Sequence, residues 1–240
     1  MSSFRGAATE RLHLILMLTL TFSTGVVDAV GYLGLDRVFT GNMTGNVVLL
    51  GMAVAGGTSL PILRPALALA FFMLGAACAG RALRHAPEGW SHRTSRVLLT
   101  LALGLWALVV FAAVAPVQAN ETLGSIVTSA LALLMGTQAA TAKRLKVTEI
   151  TTVVVTSTIT GLASDSRLAG GKSVFWVRRA LAIALISLGA VAGAAAVHMH
   201  LWLGLALAAA LASAVALVGH RRCRQDATQT APVPSAAAVK

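Results

Sequence analysis

The chain predicts an all-α polytopic membrane protein with about six transmembrane helices plus two re-entrant or broken segments. Three observations carry that prediction. First, 57% of the 240 residues are hydrophobic, the mean hydropathy is +0.80 and only 11% are charged. A soluble domain has about a quarter of its residues charged, and this chain could not cover its apolar surface in water. Second, there are several apolar runs of roughly 20 residues, the length that crosses the hydrocarbon layer. They are rich in Ala and Leu and lack the alternation of a membrane β-barrel. Third, the 19 basic residues outnumber the 8 acidic ones, and they gather in short clusters between the runs. The positive-inside rule produces that pattern. Nucleic acid is therefore not an expected partner, although the isoelectric point is near 11.4, because no basic domain stands apart from the spans.

Residues 1–11 read as a short basic cytoplasmic tail, and 12–220 as one membrane domain. Arg5 and Arg11 followed by LHLILMLTL resemble a signal peptide. The apolar stretch outruns an h-region and no clean small-x-small site follows, so a retained first span over 12–35 is expected. On it Thr21, Thr24, Asp28 and Tyr32 share one helical stripe. Residues 38–57, VFTGNMTGNVVLLGMAVAGG, form the first broken element. A helix follows from Pro61 and Arg64 to about Arg84, then a basic loop, then a span over 97–115 stopped by Pro116.

The second half repeats the plan. Residues 122–142 form a span ending at Lys143, Arg144 and Lys146. Residues 147–163, VTEITTVVVTSTITGLA, form the second broken element. A span runs from Arg178 and Arg179 to Val197, His198-Met199-His200 makes a tight connection, and 201–219 is the last span. Residues 221–240 read as a disordered basic and polar tail. Of the two cysteines, Cys78 reads as a buried small hydrophobe, and the pair makes neither a disulfide framework nor a metal spacing.

Basic residues also choose the topology. Eight alternating crossings would put Lys143, Arg144 and Lys146 on the opposite side from the loop that carries Arg167, Lys172, Arg178 and Arg179, yet both clusters prefer the cytoplasm. The conflict disappears if 147–163 dips in and returns, and if 38–57 does the same. Both termini are then cytoplasmic. The two pseudo-symmetric halves, about 12–115 and 122–219, become inverted repeats, an arrangement favoured over eight crossings in two parallel repeats.

The run D-A-x-x-x-L-x-L-D-x-V-F-T-G-N-M-T-G-N-V-V-L-L-G, followed by M-G-T-Q-A-A and T-x-T-x-T-G-L, resembles the YoaK-type family of bacterial membrane proteins of unknown function. The resemblance covers about residues 12–220. It implies a multi-pass protein of the bacterial inner (plasma) membrane with about six spans, and it brings no substrate and no catalytic residue.

The candidate site is built from both broken elements. A carboxylate within a span costs roughly 2.5–3.5 kcal/mol at the centre on insertion scales and marks a functional position by default. Asp28 is that residue, unless it lies near the interface, hydrated or paired with Arg37. In the first element, Gly lets the backbone leave helical geometry, while Thr40, Asn42, Thr44 and Asn46 offer donors and acceptors to freed backbone groups or to a ligand. Such backbone survives at membrane depth only where protein buries it or a cavity hydrates it. The plainer use of the same residues is a helix-packing seam. Gln138, Thr156, Thr158 and Thr160 form the partner surface, although threonines also bond back to their own helix. His198 and His200 are too few for a metal site, and Asn42-Met43-Thr44 matches a glycosylation sequon without bearing on a bacterial protein.

No nucleophile elbow, paired carboxylates, H-E-x-x-H or phosphate loop occurs, so no enzyme, cofactor or metal is expected. The function expected is a transporter- or channel-like protein that moves a small solute or ion between its two halves; the alternative is a non-transporting scaffold or accessory subunit. The lipid bilayer and the solute are the partners, and a homo-oligomer is compatible with either reading.

Overall fold

A computed structural model describes residues 2–56, 61–87, 89–145, 155–172 and 174–230. Among them are eight α-helices in the order α1 (Ser2–Gly34), α2 (Met43–Val54), α3 (Leu63–Ala82), α4 (His92–Val114), α5 (Glu121–Leu145), α6 (Val155–Ser164), α7 (Trp176–Met199) and α8 (Leu201–Thr230), with a 3-10 turn at Arg167–Ala169. Six of them (all but α2 and α6) are long and apolar enough to cross a membrane. The 12 residues of α2 reach only about 18 Å at 1.5 Å per residue, little more than half of a hydrocarbon core about 30 Å thick. α6 is shorter still. The first eight residues of the second broken element, 147–154, lie outside the described residues, as does Lys146.

Neighbouring side chains fix the helix directions. α1 and α7 run parallel: Glu10 pairs with Arg178 at 3.5 Å near their starts, and Gly34 meets Val197 near their ends. α3 and α5 run parallel as well. Arg64 donates to the Glu121 carbonyl at 3.4 Å at the start, and Arg144 donates to the Ala86 carbonyl at 3.0 Å at the end. α4 and α8 are antiparallel, with His92 edge-on to His220 at one end and Trp106 bonded to Ser213 further along. Eight alternating crossings would send α4 and α8 the same way. The observed directions are those of six crossings, with α2 and α6 at part depth.

The same close approach occurs twice. Gly25 of α1 lies against the Ile186 carbonyl of α7, and Gly189 of α7 lies against the Phe22 carbonyl of α1. Gly75 of α3 and Gly136 of α5 exchange the same contacts with the Leu133 and Phe72 carbonyls. None of these positions has room for a Cβ. Small residues at such points let helix backbones touch, and in lipid that contact supplies much of the packing energy. The main core joins α1, α4, α5 and α8 through Val26, Val30, Leu105, Leu131 and Leu205; a second cluster at the basic end contains Met17, Leu20, Leu98, Leu145 and Val215.

Three expectations change. Residues 2–11, expected as a basic tail separate from the first span, are helical and continuous with α1: the segment holds Ala, Glu and Arg, good helix formers, and no proline. α8 likewise carries the helix through the basic cluster to Thr230, and residues 231–240 lie outside the described part. Cys78 is exposed rather than buried, because α3 turns only one face to α5 and leaves the rest of its surface, including Met73 and Leu74, to the surroundings.

Candidate functional site

The site begins where α1 ends. Asp36 and Arg37 adopt left-handed backbone conformations, with φ of 64° and 56°, and the Leu35 and Arg37 amides close back onto the Gly31 and Tyr32 carbonyls. Left-handed geometry is tolerated by Asp and disfavoured for Arg, at an order of 1–3 kcal/mol when the surroundings hold it. The chain then turns back along α1. Val38 and Thr40 press on Gly31, where a Cβ would meet the Val38 carbonyl. The segment descends to the level of Asp28 before α2 starts, so it enters and leaves from one side, as the charge map predicts.

At the foot of the descent one oxygen of Asp28 holds three consecutive backbone amides. Asp28 Oδ1 accepts from Thr40 N at 3.2 Å, Gly41 N at 2.7 Å and Asn42 N at 3.2 Å. These amides lead into the N-terminal end of α2, where the helix dipole favours a negative group. Asp28 forms no ion pair with Arg37 or any other described residue, and its Oδ2 accepts no hydrogen bond from them. Its surroundings are therefore backbone on one side and cavity on the other.

The Asn pair divides the remaining work. Asn46 is buried and clamps the Phe39 peptide: Oδ1 accepts Phe39 N at 2.9 Å and Nδ2 donates to Phe39 O at 2.5 Å. Asn42 is exposed and caps α2, with Oδ1 accepting Gly45 N at 3.4 Å. A Cβ on Gly45 would meet the Phe39 ring at 2.7 Å, so the second glycine of the motif gives that ring its seat. Thr40 is fully buried and its Oγ1 has no hydrogen-bond partner. Thr44 is exposed.

One half-enclosed cavity of about 770 Å³ brings these residues to the second half of the chain. Its lining includes Asp28, Asn42 and Thr44 from the first half and Val155, Thr156 and Ile186 from the second. Thr24 lines it too, and links it to Gln138. Gln138 is buried on α5 and donates to Thr24 Oγ1 at 3.1 Å, while its Oε1 has no partner.

Five of the eight residues singled out in the sequence are not part of that lining. Asn46 and Thr40 lie behind it, and Gln138 lies beneath it. Thr158 is buried on α6, and Thr160 bonds back to the Thr156 carbonyl at 2.9 Å. The sequence reading places Tyr32 on the stripe of Asp28 but names neither it nor the apolar residues of the wall as part of the site. Tyr32 and Phe39 stack with ring centroids 5.0 Å apart, and Met43, Val48, Leu49 and Met52 line the cavity from α2. Tyr32 one turn beyond Asp28 was the available signal.

Beyond the cavity, the far end of α6 is tied to the start of α7. The Arg179 guanidinium donates to the Gly161 carbonyl and pairs with Asp165 at 2.6 Å. That pairing holds the Asp165 carboxyl below its ordinary range.

Comparison with known proteins agrees with this architecture. The family model described as "Protein of unknown function (DUF1275)" matches residues 16–218. The UPF0700 transmembrane protein YoaK of Bacillus subtilis (strain 168) is 36% identical over 193 residues, covering 77% of this chain and 83% of its own. No solved structure matches the chain.

Proposed function

The chain belongs to the DUF1275 family of multi-pass membrane proteins of unknown function, and from its own geometry we propose that it is a transporter- or channel-like carrier of a small solute or ion, with a path between its two halves. One observation carries this reading: a carboxylate with an unused oxygen lines a cavity shared by the first half and by the first described turn of α6. Secondary transporters hold their substrates at the interface of their repeats, in sites formed by discontinuous helices.

We read the halves as inverted repeats. One spacing separates Glu10 from Glu121 and Gly25 from Gly136; a second separates Arg64 from Arg178 and Gly75 from Gly189. The glycines make their counterparts' contacts in the other helix pair, and the arginines meet the equivalent glutamates, Arg178 at the Glu10 carboxylate and Arg64 at the Glu121 backbone carbonyl. By the first spacing the match of Asp28 is Ala139, and Gln138 matches Val27. The repeat therefore supplies one carboxylate and one site. We read the starts of α1, α4 and α7 as cytoplasmic in a bacterial inner membrane, a reading that the basic residues there support. The segment around α2 then enters from outside, while α6 leads back to the inside. No catalytic step is assigned.

A scaffold reading draws on a different observation: Asp28 Oδ1 and Asn46 spend their hydrogen bonds on backbone. The two readings separate in cells that express equal amounts of wild type and Asp28→Asn. Asn keeps an oxygen for the three amides and removes the charge. A carrier shifts the internal-to-external ratio of at least one small solute in wild type and not in the variant, read by mass spectrometry of the solute pool. Identical pools in both would favour the scaffold.

A further inference from the structure

The carrier reading leaves the substrate class open, and the cavity lining narrows it. Asp28 is the one carboxylate in that lining, and no Lys, Arg or His stands among the described residues with it. Its Oδ1 is filled by three amides, so the acceptor that faces a ligand is Oδ2. An anion would meet a like charge there, with no basic side chain in the lining to offset it. The α2 dipole gives it no refuge, because Asp28 already occupies that end of the helix.

Most of the rest of the wall is apolar and polarisable, with Thr24, Asn42, Thr44 and Thr156 as its neutral polar side chains. The stacked pair Tyr32 and Phe39 forms one side; Met43, Leu49 and Met52 form another, and Ile186 closes the third. A hard divalent cation takes six or more oxygen ligands, carboxylates prominent among them, and this lining has one carboxylate. An ammonium group satisfies Oδ2 with a charge-assisted hydrogen bond, and aromatic faces attract cations and apolar bodies alike. A cavity of about 770 Å³ falls within the roughly 300–1,000 Å³ of small-molecule sites. Asn42 and Thr44 at the rim add hydrogen-bonding groups without adding charge.

We infer that this cavity takes a monovalent organic cation: a protonated amine with an apolar, ring-sized body, its nitrogen on Asp28 Oδ2 and its body against Tyr32 and Phe39. The inference rests on the carrier reading of the same cavity.

The test is equilibrium binding of tritiated phenethylamine to the purified full chain in lipid nanodiscs, with 2-phenylethanol and phenylacetate as competitors of the same shape. The expected result is saturable phenethylamine binding that neither the neutral nor the anionic analogue displaces at tenfold excess. Asp28→Asn weakens it roughly 10- to 100-fold, the value of a hydrogen bond to a charged group. Phe39→Leu weakens it about 3- to 10-fold. Thermal unfolding and gel filtration identify any variant that has lost its fold, and the Asp28→Glu variant, which restores the charge, recovers more binding than Asp28→Asn. The inference fails if the folded wild type shows no saturable binding, if 2-phenylethanol competes equally, or if Asp28→Asn binds within twofold of wild type. Binding without movement across a liposome keeps the amine site and removes the carrier reading. Movement of another solute, lost in Asp28→Asn and accompanied by no phenethylamine binding, does the reverse.

Discussion

Asn46 holds both polar groups of the Phe39 peptide at once, accepting its N–H at 2.9 Å and donating to its carbonyl at 2.5 Å. A strand partner would do the same for an extended segment. Here one side chain does it within a membrane, where an unsatisfied backbone group costs several kcal/mol. The descent from Asp36 to Asn42 has few backbone partners of its own, so Asn46 from α2 and Asp28 from α1 hold it from two sides.

Replacing Asn46 by Ala therefore strands two backbone groups. The expected loss is about 1–3 kcal/mol of stability, discounted for the partners that an unfolded segment finds in the membrane. Thermal unfolding in detergent reads it. A midpoint unchanged from wild type would mean that the Phe39 peptide finds other partners.

Asp28→Ala removes the acceptor for three amides, and Asp28→Asn does not. The first variant is expected to unfold at a clearly lower temperature than the second, by the equivalent of about 1–3 kcal/mol for donors left unsatisfied. Equal midpoints would show that the amides do not depend on this side chain.

These two cradles mark the limit of what the sequence reveals. The six spans follow from their apolar runs, and the part-depth elements follow from where Lys143, Arg144, Arg178 and Arg179 stand. The break at 40–42 is legible because Gly and Asn cannot serve a continuous apolar helix well, but the second half of the motif, Met43 to Asn46, is the first turn of α2 rather than irregular backbone. Which Asn faces the cavity is not legible: only the turn-back at Asp36 and Arg37 decides that Asn42 is exposed and Asn46 buried. Gln138 looks like the partner of Asp28 by type, yet the register set by Gly25 and Gly136 gives that place to Ala139. The Met and Leu wall of α2 is indistinguishable in sequence from an ordinary lipid-facing helix.

The paired glycines carry the third prediction. Gly25→Ala and Gly136→Ala insert a methyl against a backbone carbonyl in equivalent crossings. Each is expected to destabilise by about 1–3 kcal/mol, as overpacking does, and by similar amounts. Gly51 on α2 has open space around its Cβ position, so Gly51→Ala is expected to be neutral or stabilising by up to about 1 kcal/mol. Thermal midpoints of the three variants check the ranking. A neutral Gly25→Ala would contradict the close crossing.

The tether of α6 gives a pH dependence with a definite sign. The folded Asp165 carboxyl titrates below its ordinary 3.8, first because of the hydrogen bond from Arg179. Its contribution is full above that ordinary value and is lost as the pH falls through the lower folded one. Hydrogen exchange over 155–164 should show wild-type protection factors at pH 6 that weaken as the pH is taken progressively below 3.8, with Asp165→Asn already weakened at pH 6. Equal protection of wild type and variant at pH 6 would show that the pair does not hold α6.

The central claim is that elements entering from opposite sides meet at one cavity beside Asp28. With Cys78 and Cys223 replaced by Ser, Thr44→Cys and Thr156→Cys are placed one at a time in oriented membrane vesicles and exposed to a membrane-impermeant maleimide from each side in turn. A shared path predicts that both cysteines react, each from at least one side, and that the Asp28→Asn background changes the rates of both. Two cysteines inert from either side would contradict the account and leave the motif as a packing seam.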